Sequence, residues 1–194
     1  MDSLKLSSYE LFKHILAKDD NEICRIILKS TYFLDPRLVK RSPVMHPDFV
    51  RESKEHHPGK KKGSNSEWEG RTVKVTDNTK ARNAFEKYSG IRMGGKNRTI
   101  PKGWDVAHIW GRVYDPRFFT AGWNICLMPD FLRNFCEEQS GNVHLQPILQ
   151  KVAFELYIQS DVVPIDVIHL ISEPKIVVDA HAIQPNIIAA LQRS

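Results

Sequence analysis

The chain has 194 residues, 41% hydrophobic and 26% charged, with a formal charge of +5; this is the balance of a folded domain and excludes a disordered chain. No apolar run reaches the roughly 18–20 residues that cross a bilayer, and the opening MDSLKLSSYELFKHILAKDD lacks the basic-then-apolar order of a secretion signal. Cys24, Cys126 and Cys136 form no CxxC pair, which argues against a disulfide framework or a structural zinc and leaves a cytoplasmic protein with no membrane partner as the expectation.

Along the chain, residues 7–34 predict two helices, with Leu11, Ile15 and Leu16 sharing a face in the first and Ile23, Ile26, Ile27 and Tyr32 in the second. A stretch bounded by Pro36, Pro43 and Pro47 follows, then a short polar helix around Asp48–Lys54. HHPGKKKGSN, from His56 to Asn65, has nothing to bury and reads as a loop in which His56 and His57 are solvated, with metal binding by the pair as the alternative. Thr76–Tyr88 predicts a helix with Ala84, Phe85 and Tyr88 on one side and Gly90 as its stop. Trp104–Ile109 and Trp123–Met128 predict two short strands. A helix opens at Pro129-Asp130, carrying Phe131, Leu132, Phe135 and Cys136, and Gly141 ends it. Another runs from Gln146 to Gln159, with Ile148, Leu149, Val152 and Leu156 inward, before apolar stretches at 162–171 and 176–178 and a last helix near Asn186–Leu191.

Charge is unevenly placed. Residues 51–103 carry fourteen Lys/Arg against six Asp/Glu, a net of +8, which leaves −3 for the rest. A basic block beside a mildly acidic remainder points to a polyanion, of which nucleic acid is the commonest.

The segment GWDVAHIWGRVYDPRFFTAGWNICLMPDFLRNF sets a histidine on a strand, then a loop, a second strand opening with Asn, and a helix. This order, over about Lys102–Gln139, resembles the His-Me finger (HNH-type, ββα-metal) endonucleases, in which a β-hairpin and a helix clamp one divalent metal. The resemblance implies an α+β fold, with the ββα-metal motif set in a mainly helical scaffold. It also implies Mg²⁺ or Mn²⁺ in the site.

Hydrolysis of a phosphodiester needs an activated water and stabilisation of charge on the phosphoryl and leaving oxygens. His108 is the expected general base, since an imidazole titrates near neutrality. A group accepting from its other ring nitrogen must fix its orientation. Asn124 offers a hard oxygen suited to Mg²⁺; the family pattern makes it either a metal ligand or the orienter of the histidine. Where many members carry Asp or His immediately before the base, this chain has Ala107. Asp105 is the nearest carboxylate, and DVAH is similar in outline to the DRGH of the family's non-specific branch. Strand positions three apart face opposite ways, so Asp105 reaches a shared metal only through a bend. Where the family's closing helix residue is usually His, this chain has Arg133 followed by Asn134; the family's His-Asn-Asn version implies Asn134 as a candidate ligand beside Asp105 and Asn124. Arg112 is the expected phosphate-binding guanidinium of the connecting loop; Asp115 offers either Arg112 or Arg117 a structural partner instead. Trp104, Trp110 and Trp123 read as the core of the hairpin, with stacking on bases as the alternative.

These features imply a site-specific Type II restriction endonuclease acting on double-stranded DNA as a homodimer. Lys60, Lys61, Lys62, Arg71, Lys96 and Arg98 are its expected DNA contacts. A non-specific or toxin-type DNase and a non-catalytic DNA-binding module are the alternatives. The expected organisation is a helical and basic DNA-contacting region at 1–100, the nuclease core at 101–160 and a packing extension at 161–194.

Overall fold

Ile-Cys-Leu-Met-Pro, an unbroken apolar run, forms the central strand of the main sheet, as expected of a strand covered on both faces. The computed structural model describes residues 20–136, 146–171 and 173–174. The elements in order are α1 (Asp20–Lys29), β1 (Tyr32–Phe33), α2 (Pro36–Arg41), β2 (Phe49–Arg51), β3 (Asn65–Trp68), β4 (Arg71–Thr76), α3 (Thr79–Ser89) and β5 (Trp104–His108). Then come α4 (Pro116–Phe119), a 3₁₀ turn (Gly122–Asn124), β6 (Ile125–Pro129), α5 (Asp130–Cys136), α6 (Gln146–Ala153), a π turn (Phe154–Ile158) and α7 (Ile165–Ile168). The helices expected at 7–17 and 186–191 and the apolar stretch at 176–178 lie outside the described residues.

β6 pairs antiparallel with β5 on one side and β1 on the other, with His108 opposite Ile125 and Phe33 opposite Cys126. One core covers this sheet. It draws Ile23, Ile27 and Leu28 from α1, Ala81, Ala84 and Phe85 from α3, and Ile148, Leu149 and Val152 from α6. Val162, Val163, Val167 and Ile171 join the same core from the other side of the hairpin in sequence. A second sheet, in the order β2-β4-β3, holds the smaller cluster Val50, Val73 and Val75. Its β3–β4 hairpin turns on Glu69 and Gly70, both at positive φ (47° and 79°), the pairing that matches strand twist in a two-residue loop.

The fold is α+β, but the mainly helical scaffold is corrected: among the described residues there are two three-stranded sheets, and four of the six strands precede residue 100. The polar helix expected around 48–54 is strand β2, because Val50 gains a partner in Val75 through parallel pairing to β4. Three helices are where expected: α3 ends at Gly90 in the left-handed region (φ 73°), α5 begins at Asp130, and α6 with its π turn spans 146–158. Phe131, placed with the apolar side of α5, is 55% exposed, whereas Leu132 is fully buried.

Gly122 ties the hairpin to its surroundings by being small. A Cβ there would lie 2.8 and 2.9 Å from the two Val39 methyls and 3.0 Å from the Tyr88 ring. Gly122→Ala is therefore expected to cost about 1–3 kcal/mol through overpacking. A urea titration checks it; an unchanged midpoint would mean that α2 gives way freely.

Candidate functional site

The last residue of β5 and the turn before β6 meet at the site. His108 is 5% exposed and forms part of the wall of a cleft of about 710 Å³, shared with Arg51, Thr76, Asp77 and Arg112. The cleft lies where β2 and the loop after β5 approach each other, joined by Arg51 N–H donating to the Val113 carbonyl at 2.8 Å.

His108 Nε2 lies 3.0 Å from the Phe119 carbonyl, and its ring stacks on the Phe119 ring (centroids 5.7 Å, interplanar 18°). A carbonyl only accepts, so Nε2 carries the proton and Nδ1 keeps the lone pair in the neutral ring. Burial lowers the His108 pKa to about 4; the Phe119 bond and Asp105 pull it up, while Arg51 and Arg133 push it further down. At neutral pH this imidazole is unprotonated and of one tautomer, the form a general base needs.

Asn124 is fully buried and spends its carboxamide on the loop. Its Oδ1 accepts from Trp110 N–H at 2.8 Å, and its Nδ2 donates to the carbonyls of Gly111 (3.1 Å) and Phe118 (3.0 Å). Both ends of the 110–118 loop are thereby clamped. The Phe118 carbonyl it holds adjoins the Phe119 carbonyl that holds His108, so Asn124 orients the histidine at one remove. Gln146 and Gln150 brace the same loop by donating to the Ile109 carbonyl at 3.1 and 3.2 Å.

Gly111 and Arg112 follow in the left-handed region, at φ 62° and 48°. Arginine there is strained unless its surroundings hold it; its guanidinium lies over the Phe118 ring, 5.6 Å from the centroid. Neither Arg112 nor Arg51 forms an ion pair among the described residues. Arg117, in contrast, is bound bidentately by Asp115 and reaches Glu69 at 3.2 Å. Of the two loop arginines, Arg112 is the one facing the cleft.

Asp105 faces elsewhere, as strand alternation requires. It lines a second cleft of about 350 Å³ with Arg82, Arg98 and Asp130. Its carboxylate takes two bonds from Arg82 (2.6 and 2.5 Å) and one from Arg133 (3.1 Å). Burial pushes its pKa up, but the Arg82 bonds, the Val106 N–H and the charge of Arg133 outweigh that and hold it below the usual carboxylate range. Asn134 sits on α5, its side chain outside the described residues.

The metal implied by the resemblance can be tested on these donors. Asp105 is enclosed by two guanidinium groups and Asn124 Oδ1 is taken by a backbone N–H. Among the described residues, no group of three or more His, Cys, Asp or Glu side chains gathers as metal ligands do. The residues present do not fit an ion held by Asp105 and Asn124.

The basic contacts expected from sequence divide. Lys60, Lys61 and Lys62 are exposed, with Lys62 paired to Asp77 on the cleft rim at 2.6 Å. Arg71 is exposed at the β3–β4 turn. Lys96 is exposed in the 91–103 loop, and Arg98 lines the second cleft while closing its own turn on the Ile100 and Pro101 carbonyls. His57 is not solvated: it is 1% exposed, accepts from the Ser66 hydroxyl and donates to the Tyr114 carbonyl, each at 3.0 Å. Arg51 and Tyr114 are cleft residues not singled out from sequence, and His56, read there as solvated, lines the cleft with them. Arg51 stood at the start of the basic block, but nothing local marks it as distinct from its neighbours.

A family model described as Uncharacterised protein PM1201 matches residues 71–189, well over half of the chain. The chain belongs to that family. The PM1201 match takes in β4, α3 and the whole β5–β6–α5 unit, and so includes His108, Arg112 and Asn124; Arg51 and His56 lie ahead of it. No curated protein and no solved structure matches the chain. No helix among the described residues is long and apolar enough to cross a membrane.

Proposed function

We propose that the chain is an endonuclease that hydrolyses DNA phosphodiester bonds, with His108 as general base and Arg112 and Arg51 as the cations that meet the phosphate. The observation that carries this reading is the neutral imidazole, fixed in one tautomer by the Phe119 carbonyl, in the wall of a cleft with two guanidinium groups that make no ion pair among the described residues. An arginine presents parallel N–H donors that match phosphate oxygens and stabilises charge developing on them. Asn124 is a positioning residue, acting through the loop it clamps.

The finer form is a site-specific Type II restriction endonuclease that cuts double-stranded DNA as a homodimer, two copies supplying one centre per strand. Plasmid incubation tests it. Discrete bands support site-specific cleavage, a smear supports a non-specific DNase, and retention without cutting overturns the catalytic reading. Running the digest with Mg²⁺, with Mn²⁺ and with EDTA reads the ion requirement implied by the resemblance to HNH-type enzymes.

The lysine loop has its own test. Lys62 is already tied to Asp77, so replacing Lys60, Lys61 and Lys62 with Ala is expected to lower the log–log salt slope of DNA binding by about 2 rather than 3. An unchanged slope would leave the loop without a part in binding.

A further inference from the structure

The cleft has a second recognition feature that a phosphate-binding base does not require. His56 lies flat on Tyr114, ring centroids 3.4 Å apart at 18°, and both residues line the same cleft as His108 and Arg112. The stack is held from below. The Tyr114 carbonyl accepts from His57, itself fixed by Ser66, and the Tyr114 ring packs 5.7 Å from Trp68. The His56 backbone N–H donates to Ser53 Oγ at 3.2 Å. Its side chain keeps 30% exposure, with Nε2 3.8 Å from the carboxylate of the exposed Glu55, so the imidazole at the end of the stack is reached from the cleft. Flat rings terminating an aromatic pile beside guanidinium groups form the pairing that binds nucleotides: cations for the backbone, a π face for the base.

We infer that His56, backed by Tyr114, is a nucleobase-stacking subsite that seats a base next to the phosphodiester at His108. This rests on the reading of the cleft as a DNA site. A base offers its face to a side chain only when it has left its own stack, so the base seated on His56 is one turned out of the duplex or lying in a single-stranded stretch.

The test compares two short single strands of equal phosphate number, one with bases and one abasic throughout, binding to the full chain carrying H108A, read by fluorescence anisotropy. The strand with bases is expected to bind about tenfold more tightly, the scale of one base–aromatic stack. His56→Ala should reduce its affinity to that of the abasic strand and leave abasic binding unchanged. His56→Phe, which keeps a ring and loses the imidazole nitrogens, should retain the preference. Equal binding of both strands, or equal weakening of both by His56→Ala, would overturn the subsite. Failure of both strands to bind would overturn it together with the DNA reading. Base discrimination by a chain whose wild type leaves plasmid intact would keep the subsite and remove the nuclease.

Discussion

His108→Ala is expected to reduce cleavage by about 10²- to 10⁴-fold, the range a positioned general base contributes, while DNA affinity stays within a few-fold of wild type. Single-turnover cleavage and anisotropy on the same preparation separate the two. Undiminished cutting would remove His108 from the chemistry. The pH profile adds a readout that a structural histidine would not give. With burial holding its pKa at about 4, the free enzyme has its base available throughout the neutral range. kcat/KM should therefore be level from pH 8 down to about 5 and bend only near 4, well below the ordinary imidazole value of about 6.5. Bound phosphate brings negative charge to a ring now depressed partly by Arg51, which raises the pKa. The bend in kcat should accordingly lie higher than the bend in kcat/KM.

The same group makes stability pH-dependent. Its folded pKa is lowered, so the unfolded chain binds the proton more readily between about 4 and 6.5. The stabilisation present above 6.5 is lost as pH falls through that window, by at most about 3 kcal/mol. An alanine variant should lack this part of the acid sensitivity.

The hairpin–helix unit was readable because its signals are local. An apolar run makes a covered strand, Asp130 opens a helix, and a histidine near the end of a strand is brought against whatever follows the loop. Even the separation of Asp105 from His108 was implied by strand alternation, and the structure obeys it. The role of Asn124 was not readable. Its three partners are backbone atoms of Trp110, Gly111 and Phe118, and no side-chain pattern marks a carbonyl waiting for a donor. His57 looked solvated because HHPG is loop composition; its burial comes from Ser66 and Tyr114, the latter 57 positions away. The β2–β4 sheet was missed for a related reason. Val73 and Val75 alternate within a lysine-rich stretch, and their partner Val50 pairs in parallel, a contact that only the folded chain supplies.

Asn124→Asp separates the two parts that the carboxamide at this position can play. A residue holding a hard cation through its oxygen should tolerate a carboxylate, a better ligand for such an ion. Fold and ion-dependent cleavage would then survive. A loop clamp should fail. The carboxylate still accepts from Trp110 N–H, but where Nδ2 donated, an anionic oxygen would face the Gly111 and Phe118 carbonyls at about 3 Å. A buried charge without a partner costs roughly 3–5 kcal/mol, so Asn124→Asp is expected to be less stable than Asn124→Ala, which leaves the same groups unsatisfied without adding charge. The sign of its pH dependence follows: burial raises the new carboxyl's pKa, protonation restores one donor, and the deficit against wild type should shrink as pH falls through that raised pKa toward the ordinary carboxyl value of about 4. Thermal melts across pH read this directly. At permissive pH the surviving folded protein should still bind DNA but cleave slowly, because the Phe119 carbonyl no longer fixes the His108 tautomer. Stability close to wild type in Asn124→Asp would sink the clamp and return Asn124 to the metal.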